Sequence, residues 1–176
     1  MDAGIGPPPP VLTGTVDRLE ENERLDGPVH ALSQVGEAVV RPGPVRDVLR
    51  GRWLGHPLHP MLTDLPIGFW TNASLLDLVG GRSSRRVATT LLAAGNLAAL
   101  PTAAAGLADW LEADRGTRRV GVVHAGANAA GLALYSLSLA ARLRGRHGRG
   151  VVLALAGMGA ATVGGYLGGH MAFGSH

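Results

Sequence analysis

The chain contains no cysteine. Its own thiolates therefore cannot supply a disulfide, a Cys-ligated zinc or an iron–sulfur cluster, and the redox compartment stays undecided. Lysine is absent too, so all sixteen basic residues are arginine. Charged residues make up only 16% of the 176, against about 25% in a soluble domain. The shortage is uneven: no arginine falls in 53–81, 87–114, 120–141 or 150–176. The net charge of +3 comes with no basic patch interleaved with aromatics, which argues against a nucleic-acid partner. The arginines sit in short clusters between apolar segments, as membrane-flanking residues do. No nucleophilic triad or phosphate loop is evident, because the Gly-rich C-terminal run is apolar and has no Lys-Ser/Thr pair after it. The start MDAGIGPPPP lacks a basic region followed by an apolar run, so the spans themselves are expected to direct insertion.

What is present is apolar sequence in long runs. Four of them, at about 61–80, 87–108, 120–140 and 150–172, each approach the roughly 20 residues that cross a bilayer. The connectors GRSSRR, DWLEADRGTRR and ARLRGRHGR are short, and short connectors force antiparallel neighbours. The fold class expected is an all-α membrane protein, a four-helix up-down transmembrane bundle over 53–176. Gly157, Ala161, Gly165 and Gly169 form a stripe of small residues at i+4 spacing, widened by Gly164 and Gly168. Such a stripe allows close approach of a neighbouring helix. Pro66 and Pro101 are expected to kink their spans.

Ahead of the spans, residues 1–14 read as a Pro-rich tail without fixed structure, from Pro7 to Pro10. Residues 15–52 read as amphipathic helices on the membrane surface. Val16, Leu19, Leu25, Val29, Leu32, Val35 and Val39 fall near helical spacing, with Gly27-Pro28 as a break. Trp53 marks the interface.

An even number of crossings puts both termini on one side. That geometry gathers His56, His59, Asp64, Asp109, His124, Asn128 and His170 at a single end of the bundle, drawn from all four spans. Ionisable residues within a membrane are expensive and normally face the bundle interior and pair. Imidazoles on different helices can hold a haem or a metal in a bundle core. His124 and His170 are the expected core ligands, with His56 and His59 completing or capping the site. Asp64, Asp109 and Asn128 would orient the rings. The competing reading is structural: His56 and His59 as caps, His124 as a hydrogen-bonded intramembrane residue. Asp77 is expected to pair near Arg82, and Asn72 and Asn96 to bond between helices. His30, His147 and His176 receive no role.

The strings Leu54-Gly55-His56-Pro57-Leu58-His59-Pro60-Met61 and Asp64-Leu65-Pro66-Ile67-Gly68 resemble an uncharacterised bacterial membrane family, domain-of-unknown-function family 2231. Gly106-Leu107-Ala108-Asp109-Trp110, Val120 to Ala125 with Asn128, and Gly164-Gly165-Tyr166-Leu167-Gly168-Gly169-His170 match its pattern too. The resemblance covers about 45–174 and implies a multi-pass protein of the bacterial cell membrane. Some relatives look like fusions to a Rieske-type iron–sulfur domain, which implies electron transfer near the histidines; here the partner would be a separate protein.

The function expected is a small redox or metal-binding membrane subunit, without a catalytic group of its own, holding haem b or a metal ion, with a homo-oligomer as one assembly open to it. The alternative is a non-catalytic structural or partner-binding membrane protein whose polar cluster is a packing element. A proton or solute carrier is disfavoured, since the polar residues gather at one end and line no path. Seven arginines near the spans on each side leave the orientation open.

Overall fold

The computed structural model describes residues 10–173, and the side chains of 14–172 within that range. The architecture is all-helical, with no strand among the described residues. Three short helices come first: α1 (Pro10–Glu20), α2 (Asp26–Val39) and α3 (Pro44–Leu49). Four long ones follow: α4 (Leu58–Val79), α5 (Arg85–Trp110), α6 (Arg115–Leu143) and α7 (His147–Phe173). Of these, α5, α6 and α7 through Ala172 are long and apolar enough to cross a membrane. Helix α4 is outside that set, since His59, Asp64, Asn72 and Asp77 dilute its apolar sequence.

The tail expected over 1–14 falls mainly on residues 1–9, outside the described residues; α1 starts at Pro10. Proline suits a first helical position, where its missing N–H has no intrahelical partner. For the same reason Pro28 does not break a helix. It lies in the first turn of α2, and the chain changes direction just before it, at Glu21–Leu25. A left-handed Gly51 opens the turn into α4. A Cβ there would collide with the His56 carbonyl.

Helices α4 and α5 pack along their lengths, as do α6 and α7. The α6–α7 seam is built on glycine. A Cβ on Gly131 would lie 3.3 Å from the Gly157 carbonyl oxygen, and one on Gly157 equally close to that of Gly131. Gly164 and Gly168 also face α6, whereas Gly165 and Gly169 meet nothing within 4 Å. The stripe in use is thus 157, 161, 164, 168. A helix has 3.6 residues per turn, so a strict i+4 row drifts off a face that alternating steps of four and three hold.

The two helix pairs join at Trp70 of α4. Its indole stacks on Tyr135 of α6, ring centres 4.2 Å apart, and donates Nε1–H to Asn96 Oδ1 of α5 at 3.0 Å. Gly95 leaves room for that indole. Asn96 therefore bonds between helices, as expected. Asn72 does not: it is exposed and donates to Gly68 O of its own helix.

At the far end of α4, Asp77 accepts two hydrogen bonds from Arg142 of α6, at 2.9 and 2.5 Å. Both side chains are 1% exposed. Arg142 also donates to Ser138 Oγ, which donates to Gly150 O of α7 at 2.6 Å. Asp77 is thus paired with Arg142 and not with Arg82. The reason is that α6 continues through Leu143, so Arg142 belongs to the helix wall.

At the opposite end, α1–α3 cover the junction between α5 and α6. Arg119 binds Asp26 (2.8 Å) and the Glu20 carbonyl (2.9 Å), and Arg115 reaches Asp26 at 2.6 Å. Arg50 of the stretch after α3 meets Glu112 at 2.5 Å. Val16 and Val40 are fully buried there. Asp114 caps α6 through Thr117, and those bonds lower its carboxyl pKa.

Two outcomes test these anchors. Asp77→Asn leaves a buried guanidinium with no anion and should cost about 3–5 kcal/mol in detergent unfolding, most of it recovered in Asp77→Leu/Arg142→Met. The Arg119 and then the Arg115 hydrogen bonds hold the Asp26 carboxyl well below its ordinary 3.8. A depressed carboxyl contributes stability above its ordinary pKa and loses it as pH falls through the folded one. Hydrogen exchange in α1 and α2 should therefore quicken below 3.8, and Asp26→Asn should remove that pH dependence.

Candidate functional site

The covered end of the helices holds two imidazoles that face each other across the α4–α5 and α6–α7 pairs. His59 lies in the first turn of α4, set there by the extended Pro57 before it and by Pro60 within the first turn. His124 lies nine residues into α6. Their ring centres are 6.3 Å apart and the rings are nearly perpendicular, at 84°.

Each ring is held by a backbone carbonyl of another helix. His59 Nδ1 is 2.9 Å from Thr102 O of α5, and His124 Nδ1 is 2.8 Å from Gly164 O of α7. A carbonyl can only accept, so both Nδ1 atoms carry a proton, and in a neutral ring Nε2 is then the nitrogen with the lone pair. Asn128, one turn along α6, donates its amide to His124 Nε2 at 3.1 Å and to His124 O at 3.0 Å. These carbonyls are reachable for distinct reasons. Gly164 belongs to the close α6–α7 seam. Thr102 follows Pro101, and its hydroxyl spans both helices of its pair, donating to Ala98 O at 2.8 Å and Leu62 O at 3.2 Å.

Glycines shape the seat. A Cβ on Gly106 would lie 2.8 Å from the His59 ring, one on Gly168 3.0 Å from the His124 ring, and one on Gly164 2.6 Å from the Asn128 amide. Three helical glycines thus oppose three polar side chains.

The other expected ligands lie elsewhere. His56 is exposed, with Nδ1 3.2 Å from Pro57 O. His170 turns toward α1, its Nε2 3.4 Å from Glu20 Oε1. Asp64 is exposed. Asp109 lies 3.7 Å from Arg50 Nε and within electrostatic reach of His59. Among the described residues, no three His, Asp or Glu side chains come together as a metal-holding set. The structure therefore brings His59, His124 and Asn128 together, and does not gather His56, His170 and Asp64 with them. Helix rotation accounts for this: residues at one depth share a rim but not a face.

A second polar centre escaped the sequence reading. His147 Nε2 lies 3.1 Å from Asp77 Oδ1, extending the Asp77–Arg142–Ser138 chain into α7. The signal available was Asp77 itself, since a carboxylate inside an apolar run requires a partner.

The comparisons with known proteins bear on residues 55–176, which match the family described as "Predicted membrane protein (DUF2231)". The match takes in His56, His59, His124 and His170 and leaves out α1–α3. No curated protein and no solved structure matches the chain.

The glycine seat makes a prediction. Gly106→Ala should displace the His59 ring from Thr102 O, seen as a changed ¹⁵N tautomer pattern for that imidazole. Stability should change little, because about 1 kcal/mol of lost hydrogen bond is set against 0.5–1 kcal/mol of gained helix propensity, both roughly.

Proposed function

Because the chain belongs to the DUF2231 family of predicted membrane proteins, we propose that it is a four-crossing membrane subunit in which His59 and His124 hold a metal centre, haem b iron or a metal ion, near one face. The integral, multi-pass character rests on the family and on α5, α6 and α7. The fourth crossing is α4. Its 22 residues extend about 33 Å at 1.5 Å per residue, enough for a hydrocarbon core of about 30 Å. Its polar groups are largely answered by neighbouring helices: His59 by Thr102, Asp77 by Arg142, and the Trp70 N–H by Asn96. Four crossings would return both ends of the chain to the side of the imidazoles. On that side Val35, Val39, Val45, Val48, Trp53 and Leu54 are exposed, an apolar surface suited to the lipid interface.

The observation that carries the metal reading is the bonding of the two rings. Metal-ligating histidines characteristically donate their other N–H to a carbonyl or carboxylate, which fixes the tautomer. His59 and His124 both place Nδ1 on a carbonyl, which leaves Nε2 as the ligating atom of each ring, although His124 Nε2 now meets the Asn128 amide. The two ring centres lie 6.3 Å apart, so His59 and His124 would be the residues to hold the metal between the two helix pairs. Asp109 would supply negative charge beside the His59 ring, and Asn128 would have to swing off His124 Nε2. A bound metal or haem would serve one-electron transfer, with a separate protein such as a Rieske-type one as partner and a bacterial cell membrane as the setting. A homo-oligomer fits the same scheme.

One observation favours a second reading, in which the cluster is a packing element: the Asn128 amide already occupies His124 Nε2. Gentle purification with haem and metals supplied separates the two. The metal reading expects a Soret band or stoichiometric metal that His59→Ala and His124→Ala both abolish. A colourless, metal-free wild type, with variants that lose only thermal stability, would establish the packing role instead.

A further inference from the structure

The end of the molecule opposite the imidazoles carries unneutralised positive charge. Arg82, Arg85, Arg86, Arg144, Arg146 and Arg149 have no carboxylate within ion-pair distance among the described residues, and the 81–86 and 141–149 connectors contain no acid. The contrast lies within the same chain. At the imidazole end, four of the seven arginines near the spans, Arg50, Arg52, Arg115 and Arg119, are ion-paired, while Arg41, Arg46 and Arg118 have no ion pair among the described residues.

Part of this charge surrounds a cavity of about 360 Å³ between the α4–α5 turn and the start of α7, lined by Asp77, Arg82, Arg85 and His147 among others. Its one carboxylate is spent. Asp77 is 1% exposed and is saturated by the Arg142 guanidinium and His147 Nε2. Arg82 and Arg85 at the mouth thus face no competing anion. The start of α5 adds to the field: Ser84 there makes no side-chain cap and directs its hydroxyl to Leu76 O and Gly81 O instead. Uncapped N–H groups at a helix start favour an anion.

We infer that this cavity seats the phosphate of an anionic lipid headgroup, with Arg82 and Arg85 as its ligands and with Asp77 and His147 in its wall, the Asp77 charge answered from behind by Arg142. The position favours a lipid over a free anion. The cavity lies at the end of helices α5 and α7, both long and apolar enough to cross a membrane. The exposed Leu78, Val79 and Val87 beside it would meet acyl chains. Basic pockets between transmembrane helices are suited to such headgroups, with roughly 1 kcal/mol expected for each arginine near an anionic surface, or about fivefold in affinity. The inference shares with the proposed function only the reading that these helices span the bilayer; the imidazole pair plays no part in it.

The test uses the full chain in detergent, titrated separately with phosphatidylglycerol, phosphatidylcholine and inorganic phosphate. Lipid retention is read by native mass spectrometry and stability by thermal unfolding. Phosphatidylglycerol should be retained and raise the unfolding temperature. Arg82→Gln/Arg85→Gln should weaken its binding about tenfold or more, while Arg144→Gln/Arg149→Gln, which removes equal charge outside the cavity, should change it less than about threefold. Equal retention of phosphatidylcholine, equal loss in both double variants, or full stabilisation by inorganic phosphate alone would overturn the assignment. The spectrum of the His59–His124 site should be unchanged in every variant, so failure here is separable from failure there.

Discussion

The buried pairing of Asp77 with Arg142 is the constraint on which the arrangement of the long helices rests. Apolar side chains give helices no reason to associate in lipid, where the surroundings are as apolar as they are. Association then depends on close backbone approach and on polar groups that cannot be left alone. Asp77 on α4 and Arg142 on α6 are each 1% exposed, and among the described residues the one other ionisable group paired with either is His147. An unpaired ion there would be prohibitive, so the pair fixes how far α4 slides along α6. Ser138 and the Gly150 carbonyl then tie α7 to the same point. The register fixed at this end sets what meets at the other, about thirty ångströms away along helices rising 1.5 Å per residue. Only one register places His59 opposite both Thr102 and His124.

How much of this could be read in the sequence follows from the distance over which each signal acts. Helix positions were legible, because run length and short connectors are local properties. The long helices overrun the apolar runs at most ends, since arginines such as Arg115, Arg119 and Arg142 can remain helical where the runs had been closed. Helical phase was less legible. The i+4 stripe runs through Gly165 and Gly169, with Gly164 and Gly168 only widening it, yet the seam uses that second pair, one residue earlier on each turn. The same effect separates the expected ligands. His170 is two residues past Gly168, which puts it on a different face, toward Glu20. The partner of Asp77 was out of reach for another reason. It lies 65 residues away in sequence, and only the packed helices single out Arg142 among the arginines at that end.

Equal numbers of arginine on the two sides conceal unequal electrostatics. At the imidazole end, Asp26, Asp109 and Glu112 neutralise their neighbours and hold the short elements against α5 and α6. At the other end, the one acid is internal to the protein and the exposed arginines face outward unpaired. The charges of Arg50, Arg115 and Arg119 at the first end therefore act within the chain, as mortar between short helices and long ones. Charge at the second is available to whatever the chain meets, which in a membrane protein is first of all lipid phosphate.

The glycines around the imidazoles argue that their placement is specific. A glycine inside a helix is less favourable than alanine by roughly 0.5–1 kcal/mol, and helices α5 and α7 accept that cost at Gly106, Gly164 and Gly168. Each faces a ring or amide that a methyl group would displace. If His59, His124 and Asn128 merely needed any partner, alanine with a slightly rotated side chain would serve, and the helices would be more stable for it. What the glycines add is closeness: they let two Nδ1–H groups reach carbonyls on other helices and hold the rings at a fixed spacing. A packing plug needs its hydrogen bonds satisfied but sets no requirement on the distance between rings. The glycine seat sets that distance, with ring centres 6.3 Å apart.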